Sequence, residues 1–290
     1  MVRLLAGCRR VLDGTAGAGG HARALADAGA MVLALDKDPH AALAARRALA
    51  GTAADVRRLD FADAAADPAV RAFAPDGILL DLGVSSPQLD DDARGFSFRP
   101  GVPLDMRMST AGPTAADWLR SASEAELAAA FGSGADEPRG RAARLAREIV
   151  RRRGNAPFAI SDDLVNAIRA VLGPRSGPGD FARLFQGVRI AVNGELERLG
   201  AALPALLDLL APEGVVAVIA YHSGEDRIVK HQFREWARAC VCPSDQPVCT
   251  CRGRPLGTLL TRKAIAAAEA EAERNPRARS ARLRAFRKAE

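Results

Sequence analysis

In the N-terminal part of the chain, short apolar runs of strand character alternate with segments whose apolar positions recur at helical spacing. Residues 10–12, 31–35, 56–59 and 77–82 read as strands, and 22–28, 39–50 and 67–73 read as the helices between them. Strand and helix in succession predict a parallel sheet wound with helices. A fifth strand-like run, 215–221, follows only after a long interval with no good strand. In that interval Ser123-Glu124-Ala125-Glu126 makes a capping box, and Ser161 precedes Leu164, Ile168 and Val171 at helical spacing. A further helical pattern runs from 180 to about 210, with Leu184, Val188, Val192, Leu196 and Leu199 on one side. The pattern predicts a sheet domain in two pieces, 1–104 and 197–290, with an all-helical subdomain, 105–196, inserted between them.

The first strand leads into the candidate chemistry. Val11 and Leu12 end in Asp13, and Gly14-Thr15-Ala16-Gly17-Ala18-Gly19-Gly20-His21 follows, opening a helix. That order aims backbone N–H groups and a helix N-terminus at a ligand. Gly17-x-Gly19 fits the loop of a nicotinamide-dependent dehydrogenase or of a methyltransferase, and Asp36, closing the second strand, can hydrogen-bond a ribose in either. Asp38-Pro39 is the better cap for the next helix, which leaves Asp36 for a ligand.

Bulk composition narrows the class. A chain of 290 residues, 48% hydrophobic, can bury a substantial core. Residues 1–10 are too short and basic for a signal peptide, and Asp208 and Pro212-Glu213 interrupt the most apolar stretch, so a soluble cytoplasmic protein without a membrane span is expected. The net charge of +6 is concentrated: residues 252–290 hold eleven Lys/Arg against four acids, and 139–153 hold seven arginines and one acid. Clustered guanidinium suits a phosphate backbone. One Tyr and two Trp give no basis for stacking on many bases. Four of the five cysteines form Cys240-x-Cys242 and Cys249-x-Cys251. In a cytoplasmic chain such pairs favour reduced thiols or a metal over disulfides, but each is one residue shorter than the common zinc knuckle, and no metal is assigned.

Further blocks make the reading specific. Asp81-Leu82-Gly83-Val84-Ser85-Ser86-Pro87-Gln88-Leu89-Asp90, Arg94-Gly95-Phe96-Ser97-Phe98 and Pro103-Leu104-Asp105-Met106-Arg107-Met108 come first. Phe185-Gln186-Gly187-Val188-Arg189-Ile190-Ala191-Val192-Asn193, His222-Ser223 with Glu225-Asp226-Arg227-Ile228-Val229-Lys230, and Asn275-Pro276-Arg277-Ala278-Arg279-Ser280 follow. In this order the blocks resemble the bacterial 16S ribosomal RNA (cytosine-N4)-methyltransferase family, MraW or RsmH. The resemblance spans nearly the whole chain. It departs in a shorter stretch before the first strand, in Tyr221 where the family usually has Phe, and in Gly224 where it usually has Leu.

The resemblance implies an α/β class I S-adenosylmethionine-dependent methyltransferase fold, a Rossmann-like wound sheet with an inserted helical substrate-recognition subdomain. It implies methylation of the exocyclic N4 of a cytidine in the decoding centre, with 16S rRNA of the small ribosomal subunit as partner and no DNA. The cofactor contacts it implies fall on Gly19, Gly20, His21, Asp36, Phe61, Asp81 and Gln88. Asp81, or the backbone carbonyls of Leu82 to Pro87, is also the candidate catalytic acceptor for an N4 hydrogen. RNA contact is expected from Asn193, His222, Ser223, Arg227 and Lys230, and phosphate contact from Arg94, Arg107, Arg277 and Arg279. The base is expected to leave its stack to reach the methyl donor. The rival reading is a non-catalytic RNA-binding or assembly protein that keeps the fold.

Overall fold

The computed structural model describes every residue except Ser244, Asp245, Pro247 and Cys249. The chain falls into two compact units, Met1–Gly83 with Leu196–Glu290, and Val84–Glu195.

The first unit begins as β1 (Arg10–Asp13), α1 (Gly20–Asp27), β2 (Met31–Asp36), α2 (Pro39–Ala48), β3 (Ala54–Arg58), α3 (Pro68–Phe73) and β4 (Gly77–Asp81). Its helices start where caps demand. Asp38 accepts from the His40 N–H at 3.0 Å and Asp67 from the Ala69 N–H at 2.8 Å, each followed by a proline at the first helical position.

The second unit carries α4 (Ser86–Asp90), α5 (Ala115–Ser121), α6 (Glu124–Ala129), α7 (Arg139–Arg153), α8 (Ser161–Leu172) and α9 (Pro178–Asn193). Its core joins Leu104, Met106, Leu119, Leu127, Phe131, Leu145, Ile149, Leu164, Ile168 and Leu184. The division falls earlier than the expected boundary at Asp105 because Phe96 and Leu104 are buried in this helical core. The single helix expected from 180 to about 210 is two. Gly194 takes a left-handed backbone, φ +60°, ending α9, and α10 (Glu195–Leu209) begins at once.

The first unit then resumes through α10, β5 (Val215–Ala220), α11 (Ser223–Trp236), β6 (Gly257–Leu259), β7 (Ile265–Ala266), α12 (Glu269–Arg274) and β8 (Arg282–Lys288). The strands form one sheet in the order β3-β2-β1-β4-β5-β8-β6, with β7 also paired to β8. β1 to β5 are parallel, and β8 runs antiparallel to β5. Alternate residues serve two cores. Leu12, Ile78, Leu80, Val216 and Val218 pack with Leu203, Leu206 and Phe233 from α10 and α11, whereas Val11, Leu79, Ala217 and Ile219 pack with Leu25 and Ala45 from α1 and α2.

The basic C-terminal stretch is partly structural. Arg284 makes a two-pronged pair with Asp226 at 2.7 and 3.0 Å, and Lys288 Nζ donates to the carbonyls of Leu207 and Leu210 at the end of α10. Those cations brace β8 rather than reach for phosphates. Among the described residues no helix is long and apolar enough to cross a membrane.

Candidate functional site

The carboxyl ends of β1, β2 and β4 carry Asp13, Asp36 and Asp81, and the glycine loop between β1 and α1 is laced among them. At the carboxyl edge of a parallel sheet the chain leaves the strands and ligands are bound. The Gly14 N–H donates to the Leu79 carbonyl at 2.9 Å and the Ala16 N–H to the Leu35 carbonyl at 2.8 Å, so the loop continues the pairing of β1 for one turn. A Cβ on Gly14 would lie 2.6 Å from Leu80 Cδ2 and 2.9 Å from Phe61 Cβ. Glycine is required there by close packing. Gly19 has φ +86° as it enters α1, a conformation that a side chain would strain.

Both oxygens of Asp36 are engaged. Its Oδ2 accepts from the Gly17 N–H and its Oδ1 from the Asp38 N–H, both at 2.8 Å. Asp38 does cap α2, and Asp36, expected to be left for a ligand, also braces the loop with one lone pair of each oxygen. Burial pushes its carboxyl above the usual carboxylate range, against the two N–H bonds.

Asp81 stands between two partners. His21 Nε2, in the first turn of α1, lies 3.3 Å from Oδ2, and the Tyr221 hydroxyl donates to Oδ1 at 3.0 Å. The Asp81 N–H donates to Thr15 Oγ1 at 2.6 Å. The hydrogen bond to Asp81 raises the imidazole pKa of His21, and burial followed by the Asp81 charge raises that of the Tyr221 phenol. Phe61, half-buried, opens a short turn after β3 and packs against the core beneath the loop.

Asp13, Thr15 and Tyr221 are members of this group that sequence reasoning did not select. Asp13 accepts from the Thr15 N–H at 3.1 Å, a turn that the Asp-x-Thr spacing could have signalled. Its Oδ2 is buried with no hydrogen-bond partner, and burial pushes the carboxyl up to about 7. A sheet edge with an orphaned carboxyl oxygen, an open Gly20 and a helix N-terminus fits a nucleoside-type ligand with hydroxyl and cationic groups.

Several predicted RNA and cofactor residues are held within their own unit. Gln88 is buried in the second unit. Its Oε1 accepts from the Ser85 N–H at 3.0 Å, completing the Ser-x-x-Gln box that starts α4. Asn193 takes the Met108 N–H on its Oδ1 and donates to the carbonyls of Met106 and Arg189, all at 2.8 Å, so it staples a loop to α9. Arg107 forks onto Asp105 at 2.8 and 2.7 Å, and Arg94 donates to the Arg107 carbonyl at 3.0 Å. In each case a buried or half-buried polar side chain meets a nearby polar group of the chain itself. His222 likewise caps α11, its Nδ1 accepting from the Glu225 N–H at 3.4 Å. Ser223, Arg227, Arg277 and Arg279 are exposed and Lys230 half-buried, all in the first unit.

Comparison with known proteins agrees with this geometry. The model of the MraW methylase family matches residues 7–289. The chain is 55% identical over 296 residues to "Ribosomal RNA small subunit methyltransferase H" of Gemmatimonas aurantiaca, covering 99% of this chain and 92% of that one. Proteins of the same name from Anaeromyxobacter sp. (strain K) and Heliobacterium modesticaldum are 48% and 44% identical, each over 96% of this chain and 91% of theirs. A sheet wound in this order, a glycine loop tied to acids on neighbouring strands, and a family match over almost every residue make this protein a member of the MraW methylase family with the class I methyltransferase fold.

Proposed function

We propose that the protein transfers the methyl group of S-adenosylmethionine to N4 of a cytidine in the decoding centre of 16S rRNA, acting in the cytoplasm on small ribosomal subunits. The observation that supports this best is the convergence of the glycine loop, Asp36 and Asp81 on one sheet edge, in a chain whose relatives are named small-subunit rRNA methyltransferases.

S-adenosylmethionine supplies, when bound, an electrophilic methyl group on a cationic sulfur. The chain's part is to hold and orient. Gly19, Gly20 and His21 offer backbone at the start of α1, the outer lone pairs of Asp36 accept from ribose hydroxyls, and Phe61 flanks the adenine. Asp81 accepts a hydrogen of the cytosine amino group. This matters because the N4 lone pair is delocalised into the ring, and an acceptor on its hydrogen favours a more pyramidal, nucleophilic nitrogen. His21 and Tyr221 fix the Asp81 carboxylate in one orientation before substrate arrives. Arg94, Arg107, Arg227, Lys230, Arg277 and Arg279, with Asn193, His222 and Ser223, are the candidates for holding RNA, and phosphate contacts position a substrate without reading its sequence.

The test is to incubate the protein with methyl-labelled donor and immature small subunits and map the labelled nucleotide. Label on N4 of a decoding-centre cytidine, lost by about 100-fold or more in Asp81→Ala, is expected. Donor binding by calorimetry without any transfer would instead identify a non-catalytic member of the family.

A further inference from the structure

The stretch from the end of α11 to the start of β6 is about twenty residues of non-repetitive chain, a length that is uncommon in a compact domain without a role of its own. None of its described residues between Ala237 and Leu256 is buried, so burial in an apolar core does not order those residues. It is nevertheless clamped at its base, where the Leu256 N–H donates to the Trp236 carbonyl at 2.7 Å and Arg252 donates to the carbonyls of Glu235 and Arg238. At its centre three thiols meet: the sulfurs of Cys240, Cys242 and Cys251 all lie within 4.8 Å of one another. The partner of Cys251 in the second Cys-x-Cys pair, Cys249, lies outside the described residues.

We propose that Cys240, Cys242 and Cys251 bind a structural zinc ion that stands in for the missing core of this loop. The separation of Cys240 and Cys251 Sγ is 3.9 Å. A tetrahedral zinc with sulfurs at about 2.3 Å spaces them about 3.8 Å apart, whereas a disulfide would bring them to about 2 Å. The backbone is already arranged for thiolates. The Val241 N–H donates to Cys251 Sγ at 3.3 Å, so the short Cys-x-Cys spacing spends its middle residue on a bond to sulfur. Three soft thiolates select zinc over hard cations such as magnesium, and binding displaces the thiol protons to solvent. The methyl-transfer reading does not enter this argument, since the site lies beyond α11 and none of its ligands belongs to the sheet-edge group.

The experiment is elemental analysis of full-length protein purified without chelator, paired with cobalt reconstitution. About one zinc per chain is expected, falling below roughly one-tenth in Cys242→Ser and unchanged in Cys8→Ser. Chelator-stripped wild type given one equivalent of cobalt should show thiolate-to-metal charge-transfer absorption that zinc then bleaches. Stripping should also quicken proteolytic cleavage between residues 237 and 256, reversed by added zinc, which keeps the test independent of whether the variant folds. Protein that purifies without zinc and develops no thiolate-cobalt absorption overturns the proposal, as does a disulfide among these cysteines or an iron-sulfur chromophore.

Discussion

Replacing Asp36 with Asn separates its two duties, bracing the loop and holding a ligand. The carboxylate receives two N–H groups, from Gly17 and Asp38, both at 2.8 Å on different oxygens. An amide offers one oxygen and one NH2, so one of those N–H groups faces a donor and loses its partner. Hydrogen bonds to a charged acceptor contribute about 1.5–3 kcal/mol, and an unsatisfied half-buried N–H costs about 1–3 kcal/mol. The variant should therefore unfold at a midpoint several degrees lower, given roughly 2–4 °C per kcal/mol in a domain of this size. The ligand effect adds to this. If the outer lone pairs take ribose hydroxyls, loss of the charge weakens S-adenosylmethionine by roughly 10- to 150-fold, the equivalent of about 1.5–3 kcal/mol. Calorimetric titration at a temperature where both proteins are folded reads the affinity, and thermal denaturation without ligand reads the bracing. A variant that melts early but binds the donor within about twofold of wild type would refute the ribose role and leave Asp36 as a loop brace alone.

Asp13 gives a pH signature. Its folded carboxyl titrates at about 7 against an ordinary value of 3.8, so the native state keeps a proton that the unfolded state releases, and stability falls as pH rises through that window. Between pH 5 and 8 the loss should reach up to about 3 kcal/mol by urea denaturation, and Asp13→Asn should flatten most of it. The raised pKa of His21 slopes the same way, its contribution present below the ordinary histidine value and lost as pH rises through the raised one, so the residual slope in the variant belongs to His21 together with the raised Asp36 carboxyl. A slope as steep in Asp13→Asn as in wild type would sink this assignment. Gly14→Ala drives a methyl into Leu80 and Phe61 and should cost about 1–3 kcal/mol together with donor affinity, whereas Gly20→Ala, where a Cβ meets nothing within 4 Å, should leave folding intact. Equal melting of the two variants would count against the packing argument.

The parallel strands were legible because each is a bounded apolar run, Val11-Leu12 or Ile78-Leu79-Leu80, whose identity needs no distant partner to declare it. β8 was not. Arg282, Arg284, Arg287 and Lys288 make it read as a basic tail, and it is a strand because β5 and β6 pair with it on either side and Asp226 and the end of α10 receive its charges. The split at Gly194 was missed because helical spacing continues across it; only the backbone angle distinguishes a stop from a tolerated glycine. At the site, Asp36 and Asp81 were readable from their places at strand ends. Tyr221 stood out only as a departure from the family's usual Phe, since its bond to Asp81 spans 140 residues. The backbone bonds of Asn193 and His222 were not legible for the opposite reason, that a polar residue in a specific block is as often there to satisfy nearby backbone as to meet a ligand.

Gly77 pairs with Val215, so β4 and β5 are neighbours in the sheet although the whole helical unit is encoded between them. Entropically the detour is mild, since each doubling of a loop adds only about 0.6 kcal/mol to its closure. Temporally it is not. At about 5–20 residues per second the ribosome needs on the order of ten seconds to travel from one strand to the other. For that time a nascent half-sheet shows Ile78 and Leu80 along an open edge, a template for mispairing with other chains. Maturation of this enzyme should thus be most vulnerable, to heat shock or to shortage of chaperones, while its helical part is being made.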